Sequence, residues 1–224
     1  MTGDALEASL VKTIADSDLS SLAADIGDEA LDQVLDDAPI PILSTIRKLN
    51  RGLNSVRDYL YTKKVLRFLR ELAQIPSEER AAKVAELYTN IKERKKFGEH
   101  LALLLDRMNE MDKAQMMGRI AAAHIKGKIT FNQLRSLNYA LDAFDLRQQV
   151  FLQDFYKRKL SHAYGNQFLP LAMSGLLEAI LDIQTSDPFS TPPEAAPAVT
   201  DASLIFGGTD LGELFVDICF EAAR

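Results

Sequence analysis

The chain has one cysteine, no long apolar run and no secretory leader pattern. The single Cys219 excludes an intrachain disulfide, which suits a reducing compartment. No run reaches about 18 uncharged apolar residues, the length that a membrane-spanning helix needs. The N-terminus lacks the basic and apolar regions of a secretory signal. We therefore expect a cytoplasmic protein.

Patterns that predict catalysis or metal binding are also missing. His100, His124 and His162 stand in no Cys/His cluster and in neither the His-Glu-x-x-His nor the Glu-x-x-His pattern. His124 lies near an apolar stripe, so we expect a hydrogen-bonded core histidine, and Cys219 fits a small buried hydrophobe. We predict no catalytic residue, metal or cofactor. An enzyme remains an alternative only if a cleft assembles residues that are distant in sequence.

Two glycine-containing stretches match phosphate-binding loops only in part. Gly127-Lys128-Ile129-Thr130 lacks the earlier glycine of a P-loop, and neither Ser nor Thr follows its lysine directly. We interpret it as a helix end followed by a helix capped by Thr130. Gly207-Gly208-Thr209 precedes Asp210 and Glu213, which would repel an anion. A tight turn explains this second stretch better than a phosphate site.

Residues 39–75 are the segment around which the chain is organised, and they predict a long basic amphipathic helix. A heptad seam occupies its first half, and a second apolar set follows with its phase shifted by one residue. One helix and two helices are both consistent with this shift. We expect the second half to lie in the core and the first half to contact a partner or to move. The seam is Ile42, Ile46, Leu49, Leu53, Val56 and Leu60, and the second set is Tyr61, Val65, Phe68, Leu72 and Ile75.

Cations line the same segment, although the net charge of the chain is −6 and Lys12 is the only cation among residues 1–40. The acidic N-terminal arm, residues 1–38, could pack on the basic helix, or the arm and the helix could both be solvated. The helix itself could be the spine of a bundle, a coiled-coil dimer along its seam, or a surface for an anionic membrane or an acidic partner. The predicted partner-binding residues are Arg47, Lys48, Arg51, Arg57, Lys63, Lys64, Arg67 and Arg70.

Helical periodicity and short connections predict further antiparallel helices from residue 77 onward, with a charged link at 92–96. We predict another helix over residues 166–177 and a strand over residues 204–206, before the last helix. The sequence of residues 179–184 fits either a helix or a strand. The fold class is mainly α: a multi-helix bundle around one long basic helix, with a small C-terminal α+β, winged-helix-like appendage. The predicted domains are an acidic helical arm (1–38), the bundle (39–163) and the appendage (164–224), which includes an exposed Pro/Ala-rich loop (186–202).

A second basic stretch mixes cations with aromatic residues. Lys157, Arg158 and Lys159 follow Phe155-Tyr156 and precede His162 and Tyr164. Such a composition can serve phosphate contact and base stacking in nucleic-acid-binding proteins. The alternative is a helix C-terminus, where the dipole favours cations. In the winged-helix-like appendage, the last helix is acidic, which argues against DNA contact by that helix.

Three stretches carry a family resemblance: IPILSTIRKLNRGLNSVRDYLYTKKVLRFLREL, KKFGEHLALLLDRMNEMDKAQMMGRIAAAHIKGKITFNQLRSLNYALDAF and SGLLE…LIFGGTDLGELFVDI. In this order the chain resembles a widespread group of uncharacterised bacterial helical proteins from about residue 38 onward. The resemblance implies no activity. The central helices also resemble the TerB-type helical domain, without its acidic metal-site pattern.

The unbalanced basic segment and the missing catalytic patterns together favour a non-enzymatic interaction, regulatory or assembly module. We expect a protein partner or self-association, for example as a dimer. The first alternative is a membrane-active effector that uses residues 39–72. The second is a nucleic-acid-binding protein.

Overall fold

The computed structural model describes residues 3–22, 40–49, 56–160, 162–185 and 199–220. It divides into two compact units, Met1–Asp142 and Ala143–Arg224. The predicted acidic arm therefore falls within the first unit, and the second unit begins about 20 residues before the predicted boundary at 163/164. The fold is mainly α with a small three-stranded sheet near the C-terminus.

In the first unit, the described residues form a bundle of α-helices. These are α1 (Gly3–Asp16), α2 (Pro41–Leu49), α3 (Val56–Leu72), α4 (Ser77–Leu87), α5 (Ile91–Arg107), α6 (Met111–Ile125) and α7 (Phe131–Ala143). Asn90 caps α5 by accepting a hydrogen bond from the Glu93 amide, so residues 92–96 begin a helix and are not the predicted link. Thr130 and Gln133 form a reciprocal capping box at α7, which confirms the predicted cap.

Glycines let two helix pairs in the bundle approach closely. A Cβ added to Gly118 on α6 would lie 2.5 Å from the carbonyl oxygen of Phe68 on α3. One added to Gly98 on α5 would lie 2.7 Å from the carbonyl oxygen of Glu7 on α1. Real Cβ atoms do not tolerate such distances, so glycine at these positions sets the spacing of both helix pairs.

The second half of segment 39–75 lies in the core, as predicted. Val65, Phe68 and Leu72 have no exposed surface. The prediction of one continuous seam is wrong, because Ile42 and Ile46 are buried whereas Val56 and Leu60 are exposed. A two-stranded coiled coil along Ile42–Leu60 would need the buried residues at its surface. Residues 50–55, between α2 and α3, lie outside the described residues.

Helix α2 is held against α1 by apolar packing and by hydrogen bonds of hydroxyl groups. The Ile42 amide donates to Thr13 Oγ1 at 3.0 Å, and Thr45 Oγ1 donates to Ser9 Oγ at 2.9 Å. The first half of the segment is therefore packed through α2. Helix α1 belongs to the predicted acidic arm, and it packs on α2 at the start of the basic segment. Residues 23–38 of the arm lie outside the described residues.

The second unit contains a β-hairpin and short helices. Its elements are α8 (Gln149–Lys157), β1 (Ala163–Tyr164), α9 (Leu169–Met173), β2 (Leu177–Thr185), β3 (Val199–Gly208) and α10 (Asp210–Cys219). The sheet is antiparallel in the order β1-β3-β2, with Ile180 opposite Ile205. Tyr156 joins the two ends of the hairpin, because its hydroxyl donates to the carbonyl of Leu176, just before β2, and accepts from the amide of Thr209, just after β3.

Three predictions for this unit are corrected or resolved. The helix predicted over 166–177 ends at Met173, because Gly175 turns the chain with a φ of 78° before β2. Residues 179–184 are strand. Residues 199–202 belong to β3, and the rest of the predicted loop lies outside the described residues. No helix within the described ranges is long and apolar enough to cross a membrane.

Candidate interaction surface on helix α3

The inner side of α3 is fixed by polar as well as apolar contacts. Glu71 is buried and accepts hydrogen bonds from Gln115 Nε2 at 2.6 Å and from Arg119 Nε at 3.3 Å. Both partners lie on α6, the helix that meets α3 at Gly118. A helix held in this way presents its opposite side on a rigid support.

Several of the predicted partner-binding cations take part in contacts within the bundle, and Lys64 makes the most buried of those described here. Lys64 is buried, and its Nζ donates to the carbonyl oxygens of Asp106 at 3.1 Å and Met108 at 3.0 Å. Burial lowers the pKa of Lys64. These bonds satisfy carbonyls at the C-terminus of α5, so Lys64 is a structural residue and is removed from the predicted surface.

Arg57 and Arg67 form ion pairs that remain open to solvent. Arg57 reaches Asp106 at 3.0 Å, with 80% of its side chain exposed. Arg67 reaches Asp112 at 2.9 Å, with 45% of its side chain exposed. Pairs this exposed contribute little to stability, because water and salt screen them. Both guanidinium groups can therefore exchange these partners for others at low cost.

The α3 outer face is one stripe along the helix, opposite to the core. Its members recur at steps of 4, 3, 4 and 3 residues, so they share one side of the helix. Val56 and Leu60 expose 76% and 42% of their surface. The stripe is apolar at the start of α3 and basic toward its end. Its members are Val56, Leu60, Lys63, Arg67 and Arg70.

The remaining predicted cations lie around this face or outside the described part. Lys63 Nζ lies 4.6 Å from the centroid of the Tyr59 ring, a cation–π distance. Lys48 is exposed on α2. The side chain of Arg47 and the whole of Arg51 lie outside the described residues.

The second basic stretch is a helix C-terminus whose aromatic neighbours belong to the core. Lys157 is the last residue of α8, and Arg158 pairs with Asp154 at 3.3 Å. Lys159 is exposed and has a φ of 50°. Phe155 is buried, and the Tyr156 hydroxyl is used by the hairpin. Phe155 and Tyr156 are thus used within the fold, whereas Tyr164 exposes 66% of its surface and His162 is also exposed. Nucleic-acid contact there stays a prediction.

The buried histidine predicted at His124 is confirmed. Its Nδ1 donates to the Ile129 carbonyl at 2.9 Å, so Nε2 accepts from the Tyr88 hydroxyl at 2.7 Å. Burial lowers the pKa of His124 and keeps the ring neutral. A cavity of about 420 Å³ borders this pair, next to Lys128 and Phe131. The Tyr88 hydroxyl and both ring nitrogens of His124 are thus already used within the fold.

Sequence reasoning missed several buried charges, of which Arg80 on α4 is the least exposed, at 1%. Its guanidinium donates to the carbonyl oxygens of Ile14 at 3.1 Å and Ser17 at 2.6 Å, and its Nε donates to Ile75. It therefore satisfies the C-terminus of α1 and ties it to the turn after α3. Only its place in the first turn of an amphipathic helix was visible in the sequence.

Within the described ranges, no group of three or more His, Cys, Asp and Glu residues is arranged to hold a metal ion. No protein-family model, curated protein or solved structure matches the chain in comparisons with known proteins. The resemblances drawn from the sequence therefore stay predictions. The interpretation of the α3 outer face is based on its own geometry.

Proposed function

We propose that the chain is a non-enzymatic interaction module that binds an acidic, partly apolar segment of a protein partner through the α3 outer face. The observation that carries the proposal is the alignment of exposed Val56 and Leu60 with the basic stripe. Exposed large aliphatic residues beside cations are typical of binding surfaces when they are contiguous.

The spacing of the stripe suits a helical partner. Anchors at steps of three and four residues are how an amphipathic helix engages a surface, so the partner would repeat that spacing with apolar residues followed by acids. The apolar end supplies area to bury, and Lys63 and Arg67 supply orientation and encounter rate. The ion pair of Arg67 with Asp112 is exposed and can be replaced by a partner carboxylate.

The test uses a synthetic acidic amphipathic helix of Leu, Ala and Glu, with binding followed by fluorescence anisotropy. The variant Lys63→Glu/Arg67→Glu reverses two cations four residues apart on α3. The matched control, Lys92→Glu/Lys96→Glu, makes the same change at the same spacing on exposed residues of α5. We expect binding to weaken at least about tenfold in the first variant only. Equal loss in both variants would contradict the proposal.

The same stripe also suits an anionic membrane surface, which is the second candidate. Aliphatic residues next to cations allow a helix to lie in the headgroup region. Flotation with phosphatidylserine-containing vesicles separates the two candidates. We expect the protein to stay at the bottom of the gradient. Flotation that the Val56→Ser/Leu60→Ser variant abolishes would assign the face to lipid instead.

A further inference from the structure

We propose that the outer edge of strand β2 accepts an extended, lysine- or arginine-bearing segment of a partner protein as an added strand. This surface lies in the second unit and is independent of the α3 outer face. The proposal is based on the sheet order, on the side chains that line the edge, and on the charge of the surrounding chain.

Strand β2 is at the edge of the sheet. In the order β1-β3-β2, its nine residues pair with β3 on one side only, and in the described part of the chain no strand covers the other side. Alternate backbone N–H and C=O groups along that side point outward. An edge of this length is a ready template for a further strand.

The edge carries few of the features that usually prevent pairing. Proteins protect edge strands with proline, lysine, bulges or very short length. Residues 177–185 contain neither proline nor lysine, and the one irregularity in register lies at Gln184/Thr185, at the far end. Ala179 is exposed, and Leu181 exposes 60% of its surface.

Charge determines what kind of strand the edge fits. From Leu160 to Ala223 the sequence contains no lysine or arginine. On β2 itself, Glu178 and Asp182 lie on one face with Ile180 between them, because side chains alternate along a strand. A partner with cations on this face would complement Glu178 and Asp182 directly, and the net negative charge of this stretch of sequence favours such a partner. The other acids of the segment are Asp187, Glu194, Asp201, Asp210, Glu213, Asp217 and Glu221.

The two faces of β2 define a pattern for the partner. Opposite residues of adjacent strands interact directly across the sheet. An added strand would therefore present Lys or Arg toward Glu178 and Asp182 and apolar residues toward Ala179 and Leu181. A sequence that alternates cationic and apolar residues meets both requirements at once.

The experiment uses the full chain and a fluorescent decamer that alternates Lys and Val. A second peptide has the same sequence with every backbone amide nitrogen methylated, which keeps its charge and removes the backbone donors of both edges. The Glu178→Lys/Asp182→Lys variant reverses the charge of the edge. Asp210→Lys/Glu213→Lys makes the same change on exposed residues of α10, and circular dichroism checks that each variant is folded.

We expect the Lys/Val decamer to bind, with affinity at least about tenfold lower after methylation and in the β2 variant, and little changed in the α10 variant. If the methylated and unmethylated peptides bound equally well, strand addition would be overturned. This comparison uses the unaltered protein, so it does not depend on the folding of a variant. An equal loss of affinity in the β2 and α10 charge variants would show that the peptide binds by general electrostatic attraction, and it would also overturn the proposal. The absence of binding would overturn the proposal as well. So would the finding that the protein alone forms a dimer that dissociates in the Leu181→Lys variant, because a second copy of the chain would then occupy the edge.

Discussion

The ammonium group of Lys64 donates a hydrogen bond to the carbonyl oxygen of Met108 across 3.0 Å, within the bundle. It also binds the Asp106 carbonyl, so one side chain of α3 satisfies the end of α5. The adjacent Lys63 belongs to the outer face. Two neighbouring lysines therefore have different roles, which gives a direct way to separate folding from binding.

Replacing Lys64 with Met keeps an unbranched apolar side chain one heavy atom shorter and removes both hydrogen bonds. The two carbonyls would lose a partner, and we expect the free energy of unfolding to fall by about 1–3 kcal/mol. Urea denaturation measures this loss. Lys63→Met is the matched control. We expect it to change the free energy of unfolding by less than about 0.5 kcal/mol and to weaken the binding of the acidic helical peptide. The opposite assignment of the two effects would refute this division of roles.

Arg80→Met should destabilise the bundle through the end of α1. It removes charged hydrogen bonds to Ile14 and Ser17 in a site that is 1% exposed, and we expect a loss of at least about 2 kcal/mol. Lys83→Met, three residues later on the same helix, serves as the control because the ion pair of Lys83 with Glu86 is exposed to solvent. Denaturant unfolding monitors both variants. Equal stability of the two would show that Arg80 contributes no more than a surface cation.

Gly118→Ala distinguishes helix packing from helix propensity. At an unconstrained helix position this change stabilises by about 1 kcal/mol, because alanine loses less backbone entropy. Here the new Cβ would meet Phe68 O and the Glu71 side chain, so we expect destabilisation of about 1–3 kcal/mol. Thermal unfolding gives the sign directly. A rise in the melting temperature would mean that α3 and α6 are not in such close contact.

Acid should weaken the first unit through His100. Burial, together with the nearby Arg135, lowers the pKa of His100 to about 4, whereas the unfolded chain binds this proton near its ordinary pKa of 6.5. Between these values the unfolded state holds more protons, so stability falls as the pH is lowered from about 6.5 to about 4. His100→Gln should flatten this dependence in urea titrations across that interval. An unchanged slope would show that His100 does not contribute to it.

Much of the architecture was predictable because it depends on local patterns. The buried arc Val65–Leu72, the cap at Thr130 and the core position of His124 follow from helical periodicity, turn chemistry and apolar context. Residues 179–184 were ambiguous, since a short apolar run fits a strand and a helix equally well. Its pairing with a strand beyond residue 198 decides the matter, and that contact is distant in sequence.

The candidate site was less predictable, because periodicity shows which residues share a face but not which faces meet. Ile42 and Leu60 fit one seam by spacing, yet α1 covers the first and leaves the second exposed. Similarly, Lys63 and Lys64 are indistinguishable as cations in the sequence. Only the position of the α5 C-terminus makes Lys64 structural.

The most direct test of the central claim is a methyl-resolved NMR titration of the full chain with the acidic helical peptide. Val56 and Leu60 have exposed methyl groups on the α3 outer face, whereas Val65 and Leu69 are buried on its inner side. We predict that the Val56 and Leu60 methyl signals shift progressively with peptide and that the shifts decrease with added salt. Unchanged Val56 and Leu60 signals under conditions where the peptide binds would contradict the assignment of this face.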